Sequence, residues 1–308
     1  MNFLSMKYFT TIAQEKSFTK AANKLYITQQ TLSAHISAIE KEIGTQLILR
    51  HVPLELTYAG QIFLKYASDI RSKYENMQYE FKDIIQDDRG KLRIGIAHTR
   101  GRVIMPKLIT KFQEKYPKVE IEIIENTNDL LHQNLLNNEV DLIVGNFDRL
   151  FPEILVEDFY DEEIILLIAE KLLDITYGKD KKDVIKKLRK NDLSILARCP
   201  FLFNSQQDIA GHIGQGILSQ GNFIPNIMTT SSNISILISL CMHGMGACFC
   251  PDNIVKSILN KKQLSSLKMF KFGKDAQYRI QFGYLKKSYK WSILTNFIDS
   301  AKKIIEMS

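Results

Sequence analysis

The stretch Ser17-Phe18-Thr19-Lys20-Ala21-Ala22-Asn23-Lys24-Leu25-Tyr26-Ile27-Thr28-Gln29-Gln30-Thr31-Leu32-Ser33-Ala34-His35-Ile36-Ser37-Ala38-Ile39-Glu40-Lys41-Glu42-Ile43-Gly44 decides how this chain is read. Ser17 is a residue type that caps helices, and Ala21, Ala22 and Leu25 give the following turns an apolar face. Thr28 caps a second helix with Leu32, Ile36, Ile39 and Ile43 on one side, and Gly44 ends it. Only Tyr26-Ile27 joins the two. Upstream, Leu4, Tyr8, Phe9 and Ile12 recur at helical spacing over Leu4–Ala13. Two short helices with a tight join form a helix-turn-helix, whose second helix enters the major groove and reaches base edges with its first residues. The candidate reading set is Thr28, Gln29, Gln30, Thr31, Ser33 and His35. Glutamine makes paired hydrogen bonds to adenine, threonine methyls meet the thymine methyl, and hydroxyls bond phosphate oxygens. Leu47–Leu56 is expected to form a two-strand wing with Arg50 and His51 at its tip. The rival reading is a helical interaction module whose polar residues are merely solvated.

Next comes a long Pro-free stretch, Tyr58–Asp87, for which Thr57 is the expected cap. Its apolar residues Ile62, Tyr66, Ile70, Tyr74, Met77, Phe81 and Ile84 step by threes and fours. A stripe that narrow is a coiled-coil seam and calls for a partner helix, so dimerisation through this segment is expected. A two-fold dimer is also what a palindromic DNA site demands.

From Gly90 onward strands and helices alternate. Strands are expected at Leu92–Ala97, Val119–Glu125 and Val140–Gly145, with helices over Val103–Tyr116 and Asp129–Asn137. This rhythm argues for a parallel, doubly wound sheet. A second round starts near Ile164, with strands at Phe201–Phe203 and Ala247–Cys250 and a helix over Ile234–His243. Two rounds imply two small α/β lobes.

Residues 2–66 closely resemble the LysR-type transcriptional regulators. The resemblance is carried by Phe9, Ser17-Phe18-Thr19-Lys20-Ala21-Ala22, Leu25, Thr28-Gln29, Leu32-Ser33, Ile36, Ile39-Glu40, Gly44, Leu47, Arg50 and Leu56-Thr57-Tyr58-Ala59-Gly60. His243-Gly244-Met245-Gly246-Ala247 through Pro251 resembles the family's second-lobe turn. Ile48, Gln30 and Ala34 depart from its usual residues, the last two at positions that bear on operator sequence. The resemblance implies an α/β protein with an N-terminal all-α winged helix-turn-helix and a two-lobed, periplasmic-binding-protein-like effector domain. The expected divisions are 1–57 for DNA, 58–87 for pairing, and 88–308 for the effector, with lobe I at about 88–162 and 268–308 and lobe II at about 163–267. It further implies a tetramer, an interrupted palindromic operator on double-stranded DNA, and contact with RNA polymerase.

Ligands of open α/β sheets sit beyond the carboxyl ends of the strands. Those ends offer His98, Thr99, Arg100 and Arg102; Asn126 and Thr127; Gly145 and Asn146; and Phe203, Asn204 and Ser205. Ser231 and Ser232 precede the helix over Ile234–His243. The two arginines point to a small anionic metabolite, with solvated or interdomain ion-paired arginines as the alternative.

Composition bounds these readings. The 308 residues are 45% hydrophobic and 24% charged, as in a globular protein of about two domains. No apolar run approaches the ~18–20 residues that cross a bilayer, and no secretory signal is visible, so a cytoplasmic protein without a membrane partner is expected. The net charge of +7 is not concentrated at the N-terminus, where residues 1–57 hold six Lys/Arg against four acids. The densest basic run, Lys179–Lys190, reads as a solvated helix face. Cys241, His243, Cys248 and Cys250 cluster, but their spacing fits no common zinc pattern, and Cys248 and Cys250 are expected in a lobe core. A thiol-based redox regulator, drawing in Cys199, stays as an alternative, as does a ligand-binding protein or enzyme whose N-terminus only oligomerises. No nucleophile elbow, phosphate loop or dinucleotide motif is present, so neither an enzyme nor a bound cofactor is expected. Gly211-His212-Ile213-Gly214-Gln215-Gly216 reads as a flexible surface segment, and Glu162-Glu163 as a charged rim.

Overall fold

A computed structural model describes residues 2–306 except 52–53, 86–88, 148, 150, 206–207 and 287–288. Three helices open the chain: α1 (Phe3–Glu15), α2 (Phe18–Leu25) and α3 (Gln29–Ile43). Each starts on a side-chain cap, with Asn2, Ser17 and Thr28 accepting from the backbone N–H three residues on. Gly44 ends α3 at φ 81°, a conformation that costs glycine little. Phe9, Ile12, Ala21, Ala22, Leu32, Ile36 and Ile39 close a small core, which Leu47 and Ile48 extend. A two-stranded wing follows, β1 (Ile48–Leu49) antiparallel to β2 (Glu55–Leu56). Thr57 then caps α4 (Tyr58–Ile84), 27 residues long and so about 40 Å.

The remainder alternates: β3 (Gly90–Ile96), α5 (His98–Lys115), β4 (Val119–Glu125), α6 (Asn128–Leu136), β5 (Leu142–Gly145), β6 (Ile154–Ala169), α7 (Glu170–Tyr177) and α8 (Lys181–Leu188). Then come β7 (Pro200–Asn204), α9 (Ile209–Ser219), β8 (Asn226–Ser231), α10 (Ile234–Met242), β9 (Ala247–Pro251), α11 (Asp252–Ile258), α12 (Lys261–Ser265), β10 (Leu267–Lys271), β11 (Gln277–Leu285) and α13 (Ser292–Glu306). The strands line up as β4-β3-β5-β11-β6-β9-β7-β8, with β10 also on β6. Parallel pairing holds for β4-β3-β5 and for β9-β7-β8, whereas β6 and β11 run antiparallel to their neighbours. The sheet is therefore mixed, because β6 and β11 join the two parallel triplets. Glu163 is the last β6 residue to pair with β11, and Ile164 the first to pair with β9. β6 thus runs out of one lobe into the other. β10 pairs with its second half, so the chain returns to lobe I after Lys271.

Helix α5 begins five residues before the sequence pattern suggests, with Ala97 as its N-cap. This places His98, Thr99 and Arg100 in the first helical turn and not in a free loop. The glycine-rich segment is also helical and follows strand β7, which corrects the flexible reading. A Cβ on Gly211 would come within 2.4 Å of the Ser205 carbonyl oxygen, and one on Gly214 within 2.7 Å of the Phe249 ring. These glycines permit close packing. Gly214→Val is expected to cost about 1–3 kcal/mol by overpacking, read as a lower denaturation midpoint. An unchanged midpoint would show that α9 does not sit this close to β9. In the basic run, Val184 and Leu188 of α8 are buried, Lys181 pairs with Asp174 at 2.8 Å, and Lys187 pairs with Asp183 at 3.1 Å.

Candidate DNA-reading surface and effector cleft

The outer face of α3 carries exposed Gln29, Gln30 and Thr31 at its first turn, with half-buried Ser33 beside them. Thr28 Oγ1 caps the Thr31 amide at 3.1 Å and shares a 2.8 Å hydroxyl contact with Thr31. Gln29 Oε1 accepts from the Thr19 hydroxyl at 3.0 Å, tying the reading turn to α2. His35 turns the other way, with its ring edge-on to Tyr8 at 5.0 Å, because position 35 faces α1. Arg50 does not project from the wing. Its guanidinium folds back on α3, donating to Ser37 at 2.9 Å and Glu40 at 3.2 Å, while Ser33 lies at 3.5 Å. Glu40 also accepts from the Leu47 and Ile48 amides. One carboxylate therefore fastens the wing to the helix, a role the sequence reading missed because the pairing depends on the turn at Gly44. His51 lies 3.9 Å from Glu55, and the rest of the tip falls outside the described residues.

Between the lobes is a cleft of about 490 Å³. Of the residues expected there, His98, Thr99, Arg100, Asn126, Thr127, Ser205 and Ser232 line it. Arg102, Gly145, Asn146, Phe203, Asn204 and Ser231 do not. Arg102 is exposed on α5, and Phe203 and Asn204 are buried in β7. Asn146 donates to the Arg279 carbonyl at 3.1 Å, and the Ser231 hydroxyl accepts from the Asn233 amide. Gly145 acts indirectly, since a Cβ there would meet Asn128 Oδ1 at 3.1 Å.

Arg100 is engaged inside the protein and is not free for an anion. It is buried, and its Nε and Nη2 donate to the two Glu162 oxygens at 3.3 and 3.1 Å. Glu162 is 2% exposed and so is no rim residue. It also accepts from Tyr160 at 2.8 Å, Asn253 at 3.0 Å and the Tyr278 hydroxyl. Burial would push its carboxyl up, but the Arg100 charge and these donors outweigh burial and hold it below its ordinary value. This hub gathers α5, β6, β11 and α11 behind the cleft wall. Glu163, by contrast, pairs outward with Lys271.

What the cleft offers an anion is backbone. Ala97 and Thr127, the N-caps of α5 and α6, make no side-chain cap bond, so first-turn N–H groups there are left for a ligand. All four cysteines are buried and unpaired by disulfide. Burial pushes the Cys199 thiol up to about 12, and the Cys248 thiol followed by burial raises Cys241, the opposite of a reactive thiolate. Among the described residues no group of three or more His, Cys, Asp or Glu is arranged for a metal, and no helix is long and apolar enough to cross a membrane.

Residues 3–61 match the model of the bacterial regulatory helix-turn-helix protein, lysR family, and residues 86–304 match the LysR substrate binding domain. The chain belongs to the LysR family. It is a LysR-type transcriptional regulator with a helix-turn-helix and an α/β effector-binding domain. It is 30% identical over 264 residues to a probable RuBisCO transcriptional regulator of Thalassiosira pseudonana, covering 83% of each chain. Against the Hca operon transcriptional activator HcaR of Escherichia coli the identity is 26% over 252 residues, covering 82% of each. Full-length OxyR C199D from Pseudomonas aeruginosa shares the fold at a TM-score of 0.71 and 18% identity, over 98% of this chain and 95% of that one. Full-length CbnR complexed with its target DNA does so at 0.63 and 20% identity, over 99% and 100%. LysR proteins are regulators and not enzymes, which accords with the lack of catalytic motifs. Cleft residues that the sequence reading missed include Glu125, Asp208, Ile209, Ile234, Pro251, Ile254 and Tyr278. Their common signal is a place at or near the terminus of a helix or strand.

Proposed function

We propose that residues 1–57 read an interrupted palindrome through the first turn of α3, that 58–87 pair two protomers, and that 88–308 sense a small anion in the cleft. The observation that carries this reading is the uncovered polar face of α3 beside an uncovered apolar stripe on α4. Ile62, Tyr66, Ile70, Tyr74, Met77, Phe81 and Ile84 are all exposed in the single chain. A helix with such a seam is stable only against a partner, and two-fold pairing gives the two reading helices a fixed spacing. Effector binding then biases lobe closure and, through α4, that spacing. Assembly of two such dimers into a tetramer, contact with RNA polymerase and action in the cytoplasm belong to the same reading. The anion is held by the first-turn N–H groups of α5 and α6, with Thr99 and Thr127 beside them. Thiol chemistry has no part in it, because the cysteines are enclosed.

Selection from a random duplex library at fixed physiological salt tests the DNA half, salt being fixed because phosphate contacts alone are sequence-blind and salt-dependent. An interrupted palindrome is expected to be enriched. Gln29→Ala should weaken it by about 1–3 kcal/mol per half-site, roughly 30-fold at the low end for two half-sites, with little change in stability since Gln29 is exposed. Retention of the full sequence preference by Gln29→Ala would remove α3 from the reading role.

A further inference from the structure

We infer that the effector is a zwitterion, an α-amino acid with an apolar side chain, its carboxylate on the α5 and α6 first turns and its ammonium on Asp208. This rests on the proposed cleft reading and narrows its ligand class. Among charged side chains lining the cleft, Arg100 is neutralised by Glu162, and Glu125 is bonded to the His98 ring at 2.6 Å, a pair that balances in charge when the imidazole is protonated. Asp208 on lobe II lacks such a cationic partner among the described residues. It is half-buried at the N-cap of α9, where one oxygen accepts from the Ala210 amide at 2.9 Å. Burial pushes its carboxyl above its ordinary value, and the Ala210 amide, the Arg100 charge and the neighbouring Asn204 side chain only partly offset this. An ammonium ion is the ligand group that relieves it.

The cleft therefore has two poles, backbone donors on lobe I and a carboxylate on lobe II. A simple anion satisfies the first and leaves the second buried deeper on closure, which costs free energy. Beside Ser205 and Ser232, the lobe II side carries an apolar stretch of Ile209, Ile234, Pro251 and Ile254. A ligand bearing carboxylate, ammonium and an aliphatic or aromatic side chain meets all three surfaces, and 490 Å³ accommodates it.

The test uses the full chain, read by thermal shift and calorimetry against apolar L-amino acids from alanine to phenylalanine. Each is paired with the acid lacking its amino group and the amine lacking its carboxylate. At least one amino acid is expected to bind tenfold or more tighter than either truncated partner. Asp208→Asn keeps a good N-cap residue, and should lower amino-acid affinity at least tenfold while leaving the deaminated acid unchanged. Equal binding of amino acid and deaminated acid, or an Asp208→Asn variant with unaltered preference, overturns the zwitterion and leaves the anion reading standing. A response to amines alone, or to no member of the set, overturns both.

Discussion

Glu162→Ala is expected to destabilise the effector domain by about 3–5 kcal/mol, because it leaves the Arg100 guanidinium enclosed without its carboxylate. At roughly 2–4 °C per kcal/mol for a domain of this size, the melting temperature should fall by roughly 6–20 °C. Tyr160, Tyr278 and Asn253 lose an acceptor at the same time. A double replacement, Arg100→Met with Glu162→Met, should recover most of the loss, since an apolar pair removes both buried charges together. The carboxyl is held below its ordinary value in the folded chain, so its contribution is present above the unfolded value of about 4.3 and is lost as pH falls through the folded one. The stability gap between the native chain and Glu162→Gln should accordingly be flat near neutrality and narrow in acid. Melting of Glu162→Ala within about 2 °C of the native chain would mean that the Arg100–Glu162 pairing is not formed in solution.

That hub also marks the boundary between what the sequence discloses and what it does not. Caps at Ser17, Thr28 and Thr57 and the stop at Gly44 act within four residues, and each is legible because its cause is local. The narrow stripe of α4 is legible for the same reason, being a single period along one helix. Arg100 and Glu162 are 62 residues apart, and only the passage of β6 between lobes brings them together. Before that passage is known, an arginine at a strand end looks like a ligand for anions, and a glutamate pair looks like a rim. Gly211 and Gly214 mislead similarly, since glycine signals flexibility locally but allows close approach once β7 and β9 lie against α9. Arg50 adds a third case, a wing residue whose orientation is set by Glu40.

Ile70→Glu is expected to convert the protein to a folded monomer and to abolish operator binding. Ile70 lies midway along α4, 37% exposed, within the stripe that also exposes Tyr66 and Tyr74. Beside it an apolar groove of about 250 Å³ opens between α4 and the helix-turn-helix, floored by Met6, Leu47 and Phe63. Two-fold symmetry doubles every substitution at such a seam, because residue and partner residue change together. Losing the burial of one isoleucine costs about 1.5–3 kcal/mol per copy, and the carboxylate adds a desolvation cost. The sum is at least about 3–6 kcal/mol per dimer, roughly a 10²- to 10⁴-fold rise in dissociation constant. Because the side chain already meets solvent in the single chain, the helical signal should be kept, and sedimentation should report the mass of a single chain. A monomer presents one reading helix to a two-half-site operator, so specific binding loses everything the second helix supplies. Tyr66→Ala, which removes area but adds no charge, should give an intermediate dimer whose operator affinity recovers at high protein concentration. That concentration dependence separates a pairing defect from a reading defect, since Gln29→Ala does not regain affinity on concentration. Dimers of Ile70→Glu that persist at micromolar concentration would assign subunit pairing to a surface other than α4.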